Sequence, residues 1–340
     1  MAVRSQETTL VRATLTVLGR RLVANGRGSV ALGRCRAPIL AIRVPFVRLH
    51  PAVLALTFGL SACVGDGAGT RVTPSKVVDD FGDTIVVGDP PARIVSLVPA
   101  TTELLFALGA GSRLVGRTHW DEWPAEALAI PDLGPGVRPN IEAVLAAHPD
   151  LVLLYASTDN RAAATTLRAA GIATLSLKVD RIEHFERGAL LLGRILGDSV
   201  VARTVVDSVR ATLDGVAART AARARSRVVW PVDVAPLIVI GGGSFLHQLI
   251  EVAGGVNVYG DMEAVSPQLS LESVHARDPD IILANPALAA RIRAEPAWAG
   301  LRAVRTGRVI EADEVLMGRP SVRMGEAAGA LAKLLQVPAP

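Results

Sequence analysis

Short apolar runs alternate with longer amphipathic stretches along most of the chain. Val77–Val87 predicts two short strands around a Gly82-Asp83 turn. The later runs have the length and composition of buried parallel strands, and most are separated by helix-length segments that glycine or proline ends. These runs are Arg93–Val98, Leu114–Gly116, Leu151–Leu154, Ala173–Val179, Arg227–Val232, Leu237–Ile240, Val256–Tyr259, Ile281–Ala284 and Gly307–Glu311. The pattern predicts an α/β protein.

One stretch of this pattern occurs twice. Asn140–Ala156 aligns without gaps with Ser270–Pro286, and six of the seventeen positions are identical. Each copy predicts a capped short helix, a helix-breaking proline and a buried strand. Chance similarity between two generic helix–turn–strand units is the alternative. We expect two α/β lobes of related plan with a cleft between them, where ligands usually bind.

The segment Ile182–Ala222 is helical in pattern and breaks near Gly197-Asp198. Its second part, Ser199–Ala222, would span about 36 Å as a helix and is a candidate strut between the lobes. An ordinary surface helix of the second lobe is the alternative. The expected organisation is a first lobe at 77–180, a helical segment at 181–222 and a second lobe at 223–340.

The charge of the chain is unevenly distributed. Residues 1–63 contain nine arginines, no lysine and one acid, so residues 64–340 carry a net charge of −4 although the whole chain is basic. A nucleic-acid-binding protein keeps its positive charge in the folded part. We therefore expect no nucleic-acid partner.

The front of the chain has the features of a targeting sequence. The apolar run Pro51–Leu60 is too short to span a bilayer and has the length of a signal-peptide core. The sequence LSAC that ends at Cys63 resembles the lipobox of bacterial lipoproteins, which implies lipidation of Cys63 and a membrane anchor outside the cytoplasm. A free cysteine after a buried helix is the alternative. Residues 64–76 are expected to form a flexible tether, and residues 1–42 either extend the leader or precede the true start.

Three motifs carry a family resemblance. RIVSLVPATTELLFALGAGSRLVG, RPNIEAVLAAHPDLVLLY and LIEVAGGVNVY follow one another in this order. Together they resemble the substrate-binding proteins of ABC importers for cobalamin, haem and iron–siderophores, over about Val77 to Leu335. The resemblance implies two Rossmann-like α/β lobes joined by a single long helix. It also implies a monomer that delivers a ligand from the cleft to a permease dimer with its ATPase subunits.

The resemblance is closest to the cobalamin-binding branch. Pro99–Glu103 and the aromatic and acidic residues before Pro124 suit that branch, which implies a corrinoid as the transported ligand and no resident cofactor. One departure is Val137-Arg138, where the branch often has an aromatic residue. Haem and a ferric siderophore are the alternatives.

A corrinoid or porphyrin is a wide apolar disc with polar edges, so its site needs aromatic surfaces and a few hydrogen-bonding groups. Trp120, Tyr155 and Trp230 are expected in loops or at strand ends, where open α/β sheets place ligands. With Pro99 and Thr101 they form the expected ligand-binding set. Partly buried structural aromatics are the alternative, and this role is expected for Trp298.

Other polar motifs were weighed for chemistry. His119 is a candidate axial ligand to cobalt or iron, although a loop histidine is more often only a hydrogen-bonding residue. Gly241-Gly242-Gly243 lacks the residues of a phosphate-binding loop and predicts a tight turn. An α/β enzyme would need a nucleophile, base or metal cluster, and the sequence presents none.

Two glutamates lie at motif positions that concern binding to a partner protein rather than to the ligand. Glu142 begins the helix of the first repeat copy, and Glu251 lies in the helix after the glycine run. Isolated helical glutamates are usually only solvated. In the importer family, however, glutamates at these motif positions dock onto arginine pockets of the permease, one from each lobe.

Overall fold

The structure is a computed structural model that describes residues 75–336. All of these residues lie in one of the two units into which the chain divides, Ala68–Pro340. Cys63 and most of the expected tether lie outside the described residues.

The first sheet has four parallel strands, which are β3 (Ile94–Ser96), β4 (Leu114–Gly116), β5 (Leu151–Tyr155) and β6 (Ala173–Leu177). Their spatial order is β4-β3-β5-β6. An antiparallel hairpin of β1 (Ser75–Val78) and β2 (Thr84–Val87) precedes them. The connecting helices are α1 (Pro99–Ala107), α2 (Ile141–Ala146) and α3 (Thr158–Ala169). The middle strands β3 and β5 are buried along most of their length, as their continuous apolar runs predict.

The second sheet repeats this plan. Its parallel strands are β7 (Ser226–Val229), β10 (Gly255–Asn257), β11 (Ile281–Ala284) and β12 (Val309–Glu311). Their order is β10-β7-β11-β12, so both sheets place their second strand outside the first and their third and fourth on the other side. A separate antiparallel hairpin consists of β8 (Pro231–Val234) and β9 (Leu237–Val239). The equal strand order supports the predicted relation between the lobes.

The helices of the second lobe are α6 (Phe245–Val252), α7 (Leu271–Arg277), α8 (Pro286–Ala294), α9 (Arg302–Arg305), α10 (Glu314–Met317) and α11 (Met324–Leu334). The repeated stretch occupies equivalent places, with α2 and β5 in one lobe and α7 and β11 in the other. His148 and Asp278, which align in the two copies, both have positive φ values of 46° and 35°. The two copies therefore share their turn geometry as well as their sequence.

Two helices connect the lobes. α4 (Ile182–Leu196) ends at Gly197, which has a left-handed conformation, and α5 (Ser199–Thr220) follows after one residue. The break is where Gly197-Asp198 predicts it. α5 buries one side chain per turn against α4 and α11; these are Ala202, Val206, Val209, Leu213 and Val216. α5 therefore packs on the connecting helix that precedes it and on the second lobe.

One sequence prediction about local structure is wrong, and one about a buried aromatic residue is right. The single strand expected over Arg227–Val232 is two strands in different sheets, because the chain leaves the parallel sheet at Trp230. Trp298 packs from a short 3-10 helix, Pro296–Trp298, and is 2% exposed. The expected packing role of Trp298 is confirmed.

Candidate ligand-binding cleft

A cavity of about 540 Å³ lies between the lobes at the carboxyl ends of the strands. In both sheets the first and third strands are neighbours whose connections leave in opposite directions, and this arrangement opens a crevice at the strand ends. Pro99 follows β3 and Trp230 follows β7, so equivalent edges of the two lobes face the cavity. A second hollow of about 280 Å³ adjoins it and shares Val98, Pro99, Trp120 and Val179 with it.

The walls of the cleft are mainly apolar. Pro99 occupies the first turn of α1, where its missing N–H and fixed φ suit the start of a helix. Val98 and Val179 of the first lobe face Val232 and Leu246 of the second across the cavity. This lining suits a ligand with a broad apolar surface.

Trp120 and Trp230 line the cavity from opposite lobes but differ in burial. Trp120 is 58% exposed, and its ring lies 4.5 Å from that of His119 between centroids. Trp230 is 2% exposed because it sits at the junction between β7 and β8 and packs into the core. Trp120 therefore offers a free stacking surface, whereas Trp230 forms a fixed part of the wall.

Thr101 does not line this cavity. Its hydroxyl donates to the carbonyl of Val98 at 2.8 Å and lies 2.7 Å from the hydroxyl of Ser96. Its side chain is buried in the first turn of α1, so it stabilises the loop below the cleft. Of the five expected ligand-binding residues, Pro99, Trp120 and Trp230 line the main cavity and Tyr155 lines the adjoining hollow.

The phenol of Tyr155 is already bonded within the protein. Its hydroxyl donates to Asp180 Oδ1 at 2.6 Å. Burial raises the pKa of Tyr155 well above its ordinary range, and the bond to Asp180 raises it further. Tyr155 therefore presents a neutral ring to the hollow and is poorly suited to bind a metal as phenolate.

His119 is exposed beside Trp120 and belongs to the lining of neither hollow. Within residues 75–336, no three histidine, cysteine, aspartate or glutamate side chains converge in a way that could hold a metal ion. Axial ligation by His119 stays a prediction.

A buried charged cluster crosses the cleft, and sequence reasoning missed it. Arg319, between α10 and α11, donates from Nη2 to the carbonyl of Trp120 and lies 3.6 Å from Glu103 Oε1 through Nη1. Glu103 on α1 and Asp121 are both fully buried. Burial raises the pKa of both carboxyl groups against the lowering effect of Arg319 and nearby hydroxyls. The cluster links the first lobe to the second.

A sequence signal for this cluster existed. Glu103 is the one charged residue of α1 and directly precedes the apolar run Leu104–Ala107, and a buried acid at such a position needs a partner. Its partner lies 216 positions later in the chain, so no local pattern identifies Arg319.

The two proposed docking glutamates do not occupy equivalent positions. Glu142 lies in the first turn of α2 and is exposed. Its counterpart in the second repeat copy is Glu272, which is exposed in the first turn of α7. Glu251 lies instead near the end of α6, where it forms an ion pair with Arg225.

Gly241–Gly243 form a tight turn. The N–H of Gly242 donates to the carbonyl of Met262 at 2.7 Å, and that of Gly241 donates to Val265 at 3.0 Å. These two amides are therefore not available to a phosphate. A Cβ atom at any of the three positions would clash with a neighbouring backbone carbonyl, which explains the run of glycines.

The model of the periplasmic binding protein family matches residues 94–316. The chain belongs to this family. No helix within residues 75–336 is both long and apolar enough to cross a membrane.

Two curated relatives are similar over most of their length. A vitamin B12-binding protein of Vibrio cholerae is 24% identical over 267 residues, which cover 78% of this chain and 94% of that protein. An uncharacterised ABC transporter substrate-binding lipoprotein of Bacillus subtilis, YvrC, is 26% identical over 273 residues, which cover 78% of this chain and 86% of that one. The names of both relatives describe binding proteins, and that of YvrC assigns it to an ABC transporter.

Solved structures support the fold. The periplasmic vitamin B12-binding protein BtuF of Vibrio cholerae has a TM-score of 0.64 at 24% identity, over 73% of this chain and 97% of that one. The haem-binding protein RhuT of Roseiflexus has a TM-score of 0.65 at 24% identity, over 72% of this chain and 97% of that one. The predicted fold of two α/β lobes with a cleft between them is confirmed.

Proposed function

We propose that this protein binds a corrinoid, with cobalamin as the leading candidate, and delivers it to an ABC permease. The observation that carries the proposal is the pair of tryptophans, Trp120 and Trp230, on one apolar cavity between the lobes. A corrin ring offers the broad face that such indoles contact well. The similarity to vitamin B12-binding proteins supports the same ligand.

Haem is the second candidate, because a haem-binding protein shares the fold. Two observations argue against it. The Tyr155 phenol is bonded to Asp180 and has a raised pKa, which disfavours phenolate binding to iron. His119 lies outside the lining of the cavity.

The test is a titration of the purified protein with cyanocobalamin, haemin and a ferric catecholate, followed by calorimetry and by the visible spectrum of the bound fraction. We expect saturable one-to-one binding of cyanocobalamin in the micromolar range or tighter. Tight binding of haemin or the ferric complex, with no saturable binding of cyanocobalamin, would reassign the ligand.

We further propose that exposed acids, one from each lobe, dock the protein on a permease dimer. Glu142 is the acid of the first lobe, and the internal repeat identifies Glu272 as its counterpart. Glu251 is the acid that the sequence motif favours, but its carboxylate is paired with Arg225. Two carboxylates held at a fixed spacing can each form charge-assisted bonds with an arginine pocket.

Two double variants separate these assignments. In a pull-down with the cognate permease, Glu142→Ala with Glu272→Ala should lose binding, whereas Glu142→Ala with Glu251→Ala should behave like Glu142→Ala alone. Both double variants should bind the ligand within about twofold of the wild-type affinity, since none of the three glutamates lines the cavity. If the Glu251 variant loses binding and the Glu272 variant does not, the second docking acid lies on α6.

Lipidation of Cys63 and a monomeric state outside the cytoplasm complete the proposal. The family and the lipoprotein relative support this placement. A tether of about a dozen residues reaches at most ~40 Å, which lets an anchored protein meet a permease in the same membrane.

A further inference from the structure

The charges around the cavity are not balanced. Three charged side chains line it, namely Glu122 from the first lobe and Glu314 and Arg319 from the second. The adjoining hollow is lined by no charged residue. These three are therefore the charged side chains that a ligand in the cavity can contact.

Arg319 is largely compensated within the wall. Its guanidinium donates to the carbonyl of Trp120, lies 3.6 Å from buried Glu103 and is 13% exposed. Glu103 cannot reach the ligand because it is fully buried. The positive charge of Arg319 thus has its counter-charge behind the cavity surface.

The two glutamates are in the opposite situation. Both are exposed, and the side chain of Glu122 makes no hydrogen bond within residues 75–336. Glu314 accepts one bond, from Asn285 Nδ2 at 2.8 Å, which orients its carboxylate and leaves its second oxygen free. The charged groups that are free to bind a ligand are therefore two carboxylates, Glu122 on the first lobe and Glu314 on the second, and both accept hydrogen bonds.

We propose that Glu122 and Glu314 select macrocycles whose edges carry carboxamides and reject those whose edges carry carboxylates. This inference rests on the proposed function and specifies the class of ligand within it. A carboxamide N–H donates to a carboxylate in a charge-assisted bond. A carboxylate at the same place meets a like charge, which lowers affinity on the order of tenfold when the contact is partly shielded from water.

The experiment compares cyanocobalamin with the monocarboxylic acids obtained from it by mild hydrolysis of single side-chain amides. These ligands share the corrin ring and differ by one edge group. Wild-type protein should bind at least one of the acids about tenfold more weakly than cyanocobalamin at low salt, and the difference should shrink as salt is added. The double variant Glu122→Gln with Glu314→Gln keeps the side-chain shape and should bind both ligands within about threefold of each other.

The matched control is Glu126→Gln with Glu295→Gln, which removes one exposed acid from each lobe away from the cavity. It should keep the wild-type preference. Equal affinity of the wild type for cyanocobalamin and for every acid would overturn the inference and leave corrinoid binding intact. Failure to bind any corrinoid, together with tight binding of haemin, which carries two carboxylates, would overturn both this inference and the proposed function. A control variant that loses the preference would show that overall charge causes the discrimination, which also overturns the role of these two residues.

Discussion

Asp150 and Asp280 make the same backbone contacts in the two lobes. The carboxylate of Asp150 accepts the N–H of Arg93 at 2.8 Å, and that of Asp280 accepts the N–H of Arg227 at 2.8 Å. In return each aspartate N–H donates to the carbonyl of the same arginine, again at 2.8 Å in both lobes. Each contact fixes the start of the first strand of its sheet to the turn before the third strand.

The first prediction concerns this pair. Asp150→Ala and Asp280→Ala should each lower the free energy of unfolding by about 1–2 kcal/mol, because a backbone N–H loses an ionised acceptor. The two effects should add, since the sites lie in different lobes. Urea denaturation measures both, with Asp214→Ala on the exposed face of α5 as the control. A loss no larger than that of the control would show that the contact does not stabilise the sheet.

The second prediction separates the two tryptophans. Trp120→Ala should weaken cobalamin binding by about 1–3 kcal/mol with little change in melting temperature, because the indole is largely exposed. Trp230→Ala should weaken binding and also lower the free energy of unfolding by about 3–5 kcal/mol, because it leaves a cavity in the core. Calorimetry and thermal denaturation provide the two readings, and Trp298→Phe is a buried control remote from the cleft. Unchanged affinity in Trp120→Ala would remove that ring from the site.

The third prediction is a pH dependence. The pKa of Glu103 is raised by burial, so the folded state holds the proton to a higher pH than the unfolded state does. The stabilising contribution of the protonated group is complete below the ordinary carboxyl pKa and is lost as pH rises through the raised pKa. Stability should therefore fall over that window, and Glu103→Gln should flatten the profile. A variant profile with the wild-type slope would show that Glu103 does not titrate there.

The fourth prediction tests the link between the lobes. Arg319→Gln should lower the free energy of unfolding by about 3–5 kcal/mol at neutral pH, because it leaves the buried Glu103 carboxylate without its counter-charge. The loss should shrink in acid, where Glu103 is protonated, and should be partly restored in the double variant with Glu103→Gln. A double-mutant cycle measures the coupling between the two residues. Strict additivity would show that Arg319 and Glu103 act independently.

The fifth prediction concerns the anchor. Cys63→Ser should abolish acylation and leave the protein unprocessed or released, since only the thiol can accept the lipid. Membrane fractionation and the mass of the mature N-terminus provide the measurement, and Ser61→Ala is the neighbouring control. Unchanged mass and membrane association in Cys63→Ser would exclude lipidation at this residue.

Local patterns were sufficient for most of the fold. The strand runs, the glycine and proline breaks and the repeat predicted both sheets and the long α5 helix, because these features depend on residues close in sequence. The error at Trp230 has a physical cause. An apolar run continues through a change of sheet, and alternation alone does not reveal where a strand leaves its neighbours.

The site was harder to predict than the fold. Aromatic residues near strand ends indicated Trp120, Tyr155 and Trp230, because strand ends converge in such sheets, and the Pro99–Glu103 motif indicated Pro99. Thr101 was misplaced since sequence does not show which way a side chain in a first helical turn points. The charged cluster depends on how the lobes meet, which no short stretch of sequence contains.

The bond between Tyr155 and Asp180 couples the cleft to the start of α6 in the second lobe. Asp180 also accepts, through its backbone carbonyl, the N–H of Phe245 at the start of α6, at 2.5 Å. A ligand that displaces the Tyr155 ring must therefore break its bond to Asp180 or move a residue that holds the second lobe. A movement of the Tyr155 ring in the first lobe would therefore reach the first residue of α6 in the second lobe through a single residue.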